Sequence, residues 1–156
     1  MKIKLTILSI LCLFGAFMLQ TSCKKSGNSS PSESEVQLGM LTSTWTLTDV
    51  QLDGLPQEGF HNFELTLSGS ISATEYNYVT LGRPALSPWP AGGTWSFGSS
   101  VNSQIIRDPG TDSELVMTYS INDSALEISY AYSGEGFAGG RTENVSGEWV
   151  FTFIKK

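Results

Sequence analysis

The sequence predicts an all-β fold: an eight-stranded antiparallel up-and-down barrel, or in the alternative a two-sheet β-sandwich. Three observations lead there. Apolar residues recur at every second position in one short window after another, and no window repeats convincingly at 3.6 residues. The composition, with 16 Gly, 11% aromatics and frequent Val, Ile, Thr and Ser, favours strands over helices. Turn chemistry separates the windows, at Asp53-Gly54, Ser68-Gly69-Ser70, Asp108-Pro109-Gly110 and Asn122-Asp123. Gaps this short suit hairpins, because parallel neighbours need crossovers of about a dozen residues.

The elements follow in chain order. In 44–54, Trp45 and Leu47 share a face, but Val50 and Leu52 have the opposite parity, so a bulge is expected near Asp49. Residues 63–69 turn Phe63, Leu65 and Leu67 inward, and 74–81 offer Tyr76 and Tyr78. Residues 93–98 bring Trp95 and Phe97, and 102–108 form a weaker strand. Leu115, Met117, Tyr119 and Ile121 alternate in 114–121, as do Leu126, Ile128, Tyr130 and Tyr132 in 125–133. The last strand, 146–156, carries Trp149, Phe151 and Phe153. Eight such strands with an inward aromatic stripe close most simply into a barrel, which removes sheet edges. Three units echo one another: Ser43-Thr44-Trp45-Thr46-Leu47, Gly93-Thr94-Trp95-Ser96-Phe97 and Gly147-Glu148-Trp149-Val150-Phe151. Positions i, i+2 and i+4 share a face of a strand, so each unit aligns a small residue, an indole and a large apolar group. The small residue makes room for a neighbouring ring.

The chain of 156 residues is one domain's worth, preceded by a different kind of sequence. Lys2 and Lys4 introduce an apolar run from Leu5 to Leu19, 15 residues long. A helix of that length reaches about 22 Å, short of the ~30 Å hydrocarbon core, and matches a signal peptide's apolar region. Cys12 lies inside the run, so its removal leaves Cys23 without an intramolecular disulfide partner. Residues 1–22 are expected to be a signal peptide, 23–37 a Ser-rich flexible tether, and 38–156 the barrel domain.

Two resemblances add to this. Around Cys23, Leu19-Gln20-Thr21-Ser22-Cys23 resembles the bacterial lipoprotein signal, with Gln20 where that family usually has Leu. The resemblance implies lipidation of Cys23 (a palmitate-bearing anchor) and cleavage before it. One acyl chain binds a membrane marginally, whereas several on one residue anchor durably. Lys24 stands where some Gram-negative lipoproteins carry an inner-membrane retention Asp, so the outer membrane is the implied destination, with its face left open. Residues 38–156, opening on "LTSTWTLTDVQLDG" and ending on "VSGEWVFTFIKK", resemble the lipocalin-like lipoproteins of Bacteroidetes-type bacteria. In lipocalins a Trp after Gly plugs the closed end beneath an Arg of the last strand. Here Trp45 would be that Trp, Ser43 replaces the Gly, and the last strand ends in Lys155 and Lys156.

Composition excludes some functions. Without residues 1–22, Lys plus Arg falls from 9 to 7 against 15 Asp plus Glu, a net of −8. No basic stripe exists for nucleic acid. His61 is the only histidine, no G-x-S-x-G elbow is present, and no Cys or second His falls in the domain, so neither a catalytic triad nor a metal site is expected. Gly134-Glu135-Gly136-Phe137-Ala138-Gly139 formally matches a dinucleotide fingerprint but leads into a strand instead of opening a helix. It reads better as a loop at a barrel mouth with Phe137 as a lid. Residues 81–93 hold three prolines around Trp89, which would either contact a partner or cap the barrel end. Asp123-Ser124-Ala125 resembles the O-glycosylation acceptor of Bacteroidetes, on Ser124 in a turn.

The expectation is a non-enzymatic binding module without cofactor or metal, holding a small apolar or amphipathic ligand. Its candidate contacts are Tyr76, Tyr78, Trp95, Tyr119, Tyr130 and Tyr132, since interior tyrosine hydroxyls need polar partners. The other class is an accessory subunit that meets an envelope protein or glycan through Trp89 and Phe137.

Overall fold

A computed structural model of the chain describes residues 30–137 and 145–156. Cys23 and the signal-like run lie outside them, as does the end of the glycine loop from Ala138. Helix α1 spans Glu33–Leu41, followed by β1 (Ser43–Leu52), β2 (Leu55–Pro56), β3 (Glu64–Ser68), β4 (Tyr76–Leu81), β5 (Gly92–Phe97), β6 (Gln104–Arg107), β7 (Leu115–Ile121), β8 (Ala125–Tyr132) and β9 (Gly147–Lys155). Every pairing is antiparallel between chain neighbours, save that β1 skips β2 to reach β3 and closes the sheet on β9. The result is a closed eight-stranded barrel with β2 as a short extra strand on β1. The barrel expectation holds, and the sandwich is set aside.

Alternation fixes which face is buried. Leu65 and Leu67, Tyr76 and Tyr78, Met117 and Tyr119, Leu126 and Ile128, and Phe151 and Phe153 all point inward. The parity change in β1 is a bulge: against β9 the register slips between Leu47 and Asp49, and the Thr48 hydroxyl donates to Thr152 O at 3.0 Å. Asp53 and Gly54 form the two-residue hairpin loop, both at positive φ (51° and 77°), as that turn requires. In β2, Pro56 lacks an N–H and helps end the pairing.

The helix departs from expectation, since residues 33–37 belong to it and not to a tether. Ser32 is its N-cap, and Glu35 returns the contact in a capping box: Glu35 N donates to Ser32 Oγ (3.3 Å) and Ser32 N to Glu35 Oε2 (2.6 Å). Leu38 and Leu41, one turn apart, are buried over one end of the barrel. There the Trp45 indole donates to Leu41 O at 2.9 Å, and Lys155 Nζ lies 5.8 Å from the Trp45 ring centroid. Lys155 thus stands over Trp45 where the lipocalin pattern has Arg. The β3–β4, β5–β6 and β7–β8 connections share this covered end, and the other connections gather at the opposite mouth.

Candidate functional site

Three of the described segments at the mouth shape the site. Residues 82–91 join β4 to β5, residues 108–114 join β6 to β7, and the segment from Ser133 to Phe137 follows β8. The first folds inward. Trp89 is 1% exposed, with its indole against the rings of Phe63, Tyr78, Tyr130 and Phe151 at centroid distances of 5.7–6.5 Å. Its backbone is held as firmly. Trp89 N donates to Ser87 Oγ (3.1 Å), Arg83 Nη1 to Trp89 O (2.9 Å), and the Thr80 hydroxyl to Pro90 O (2.6 Å). The expectation that Trp89 contacts a partner is therefore corrected: burial among rings makes it the plug of the mouth. Phe137 does stand at the mouth, 38% exposed and 6.2 Å from the Tyr132 ring, with its N–H donating to Ser87 O at 2.8 Å.

The tyrosines expected to hold a ligand divide. Near the covered end, Tyr76 packs on Trp95 at 4.7 Å, and the Trp95 indole donates to Asn77 O at 3.1 Å. The Tyr119 hydroxyl sits between Val101 O and the Gln37 side chain of α1, and burial pushes its pKa up to about 12. Tyr78 donates to Asp108 Oδ2 at 2.9 Å, and burial first, then that bond, raises its pKa. All four are core members, and the polar atoms of Tyr78, Trp95 and Tyr119 have protein partners where a ligand was expected. Tyr130 differs: its hydroxyl is fully buried, approached by the Trp89 indole N–H but without a well-aligned hydrogen bond among the described residues, and burial holds its pKa well above the ordinary value. Tyr132 lies at the mouth, donating to Glu135 O at 2.6 Å, its pKa also raised by burial.

Around Tyr130 stands a pair that the sequence reading passed over. Arg107 is 1% exposed inside the barrel. Nη1 donates to Pro88 O at 2.9 Å, and the guanidinium carbon lies 5.6 Å from the Trp89 centroid and 5.5 Å from that of Phe137. Nε lies 3.4 Å from Asp108 Oδ2, an ion pair without hydrogen-bond alignment. Asp108 has positive φ (49°), uncommon for a non-glycine, and accepts from Thr94 N at 3.0 Å as well as from Tyr78. Its signal was parity: Arg107 follows Ile105 on the inward face of β6.

Beside this cluster the mouth keeps an apolar cleft of about 350 Å³ between the end of β1 and the 84–86 loop. Leu52, Phe60, Pro84, Leu86, Val145 and Trp149 line it, with Gln57 and Glu58 as its polar edge. The Trp149 indole donates to Val145 O at 2.9 Å and packs on Phe60 at 6.1 Å. No group of metal-ligating side chains occurs among the described residues. Ser124 lies exposed in the β7–β8 turn at the covered end, where Asn122 Oδ1 accepts from Ser124 N at 3.0 Å and from Ala125 N at 2.8 Å. Comparison with protein-family models, curated proteins and solved structures finds no match to this chain.

Proposed function

We propose that the chain is a lipid-anchored cell-envelope protein, on the outer membrane, whose barrel takes a small amphipathic ligand into the cleft at its mouth. The observation that carries the binding reading is that cleft: about 350 Å³, walled by Leu52, Phe60, Leu86, Val145 and Trp149, with polar groups only along one edge. Its size sits at the lower end of small-molecule sites, and its floor is rigid because Phe60 and Trp149 belong to the aromatic core. Glu58 at the edge favours a neutral or cationic head group over an anionic one. The interior proper is filled by Trp89 and its ring neighbours, so the ligand enters only to the depth of Phe60.

The anchor reading rests on the sequence around Cys23. Within the described residues, α1 lies at the covered end and the cleft at the opposite mouth. The role proposed is binding, without a reaction. Two experiments test the two halves separately. Cys23→Ser is expected to abolish palmitate labelling and release the protein from membranes; unchanged fractionation contradicts the anchor. Leu86→Asp is expected to abolish saturable uptake of a short-chain monoacylglycerol, and wild-type uptake by the variant contradicts the cleft.

A second reading, as an accessory subunit, has one observation behind it: Val79 and Leu81 point outward from β4, 50% and 59% exposed. Crosslinking from position 81 in whole cells tests it, and the absence of any reproducible protein neighbour counts against it.

A further inference from the structure

We infer that the mouth carries a second, polar pocket for a small zwitterion, whose carboxylate is held at Arg107 and whose cationic end faces Asp112 and Glu114. The pocket, about 170 Å³, lies between loop 108–114 and the Ser133–Phe137 segment, lined by Arg107, Asp112, Ser113, Glu114, Tyr132 and Phe137 among others. It shares no lining residue with the apolar cleft, and the inference does not depend on that cleft being a site.

Arg107 carries the argument. A guanidinium offers five N–H donors, and a buried one needs most of them satisfied. Among the described residues one hydrogen bond is made, from Nη1 to Pro88 O. The neighbouring carboxylate answers the charge only in part: Asp108 also accepts from Thr94 N and the Tyr78 hydroxyl, and it stands 3.4 Å from Nε without hydrogen-bond alignment. The rings of Trp89 and Phe137 fix the cation in place. Deeper in the same cluster, the Trp89 indole N–H and the Tyr130 hydroxyl face each other and have no other polar partner among the described residues. The Tyr130 hydroxyl can itself accept from the Trp89 indole N–H, so the donor still in want of an acceptor is the guanidinium, and a carboxylate is the group that matches its edge.

Charge and size narrow the class. Asp112 and Glu114 stand at the rim, and the chain is acidic, so a sulfate or phosphate would be repelled. A ligand with an ammonium beside its carboxylate meets both signs. The volume equals that of about six waters, room for a short amino acid or betaine and too little for an acyl chain.

The test is a titration of the full chain in detergent with L-alanine, propionate and sulfate, followed by the Arg107 Nε–H and Trp89 indole N–H resonances. L-Alanine is expected to shift both in a saturable way, propionate to bind several-fold more weakly, and sulfate to leave them unmoved. Asp112→Asn, an exposed and structurally undemanding change, is expected to weaken L-alanine about threefold to fivefold and leave propionate unchanged. Arg107→Lys is expected to abolish the response to both. Equal binding of L-alanine and propionate overturns the zwitterion assignment. An unmoved Arg107 signal with L-alanine, or an Asp112→Asn variant that binds like the wild type, overturns the site. Neither result touches the apolar cleft, which is read at Trp149.

Discussion

The guanidinium of Arg107 lies 5.6 Å from the centroid of the Trp89 indole, both residues 1% exposed, so a cation from β6 and a plug from the 82–91 loop hold each other inside the barrel. Desolvating a charge is unfavourable unless it is paired, and Asp108 supplies the pair at 3.4 Å. Arg107→Ala leaves the Asp108 charge without its cation and Pro88 O without its donor. It is expected to cost about 3–5 kcal/mol in urea denaturation. A loss below about 1 kcal/mol would mean that the pair is solvated.

Trp89→Ala removes the largest side chain of the mouth and four ring contacts. Its expected cost is about 3–5 kcal/mol, as for other buried Trp truncations. Phe137→Ala is expected to cost far less, since Phe137 is 38% exposed and contacts the core from one side. Thermal denaturation of the two variants side by side checks the ordering. Equal effects would return Trp89 to the surface.

The α1 cap predicts an acid-side effect. Hydrogen bonds from the Ser32 backbone and side chain hold the Glu35 carboxyl below its ordinary pKa. The ionised form is favoured in the folded chain, so this contribution is present at neutral pH and lost as pH falls through the carboxylate range. Ser32→Ala is expected to cost about 1 kcal/mol. The stability gap between wild type and Glu35→Gln is expected to close on acidification, which a series of melting curves measures.

On the alkaline side the sign reverses. Burial raises Tyr119 to about 12 from 10, and Tyr78, Tyr130 and Tyr132 also move upward. Their neutral forms are favoured in the folded chain. That stability is full below pH 10 and is lost as pH climbs toward and through the folded values. Tyrosinate absorbance is expected to rise together with loss of the fold, and free titration near pH 10 with the fold intact would contradict the burial of these residues.

Gly93 tests the echoed small-indole-apolar units. A Cβ there would fall on Asp108 Oδ1 and 2.9 Å from the Tyr78 ring and hydroxyl. Gly93→Ala is expected to cost about 1–3 kcal/mol by overpacking. It should also shift the Tyr78 hydroxyl resonance, since Asp108 must move.

The barrel was legible because a strand's two faces can be read from alternate positions, and even the bulge before Asp49 showed as a change of parity. Helix α1 was not. Only Leu38 and Leu41 are buried in its nine residues, too few to mark a stripe, although Ser32 and Glu35 already spelled a capping box. Trp89 lies in an irregular stretch, where no period says which way a side chain turns. The tyrosine partners were out of reach for another reason: Gln37 and Tyr119, or Tyr78 and Asp108, meet only through closure. Arg107 was the readable omission, at inward parity beside Ile105.

The four tryptophans offer the most direct test of the central claim, because each indole N–H reports a different place. Trp45 bonds Leu41 O under α1, Trp95 bonds Asn77 O, Trp149 bonds Val145 O in the cleft, and Trp89 faces the Tyr130 hydroxyl beside Arg107. Titrating the labelled protein with a short-chain monoacylglycerol is expected to move the Trp149 signal saturably and leave Trp45 and Trp95 in place. Movement of Trp45 and Trp95 would mean that the ligand enters the packed interior, and a Trp149 signal that never moves would mean that the cleft binds no amphiphile.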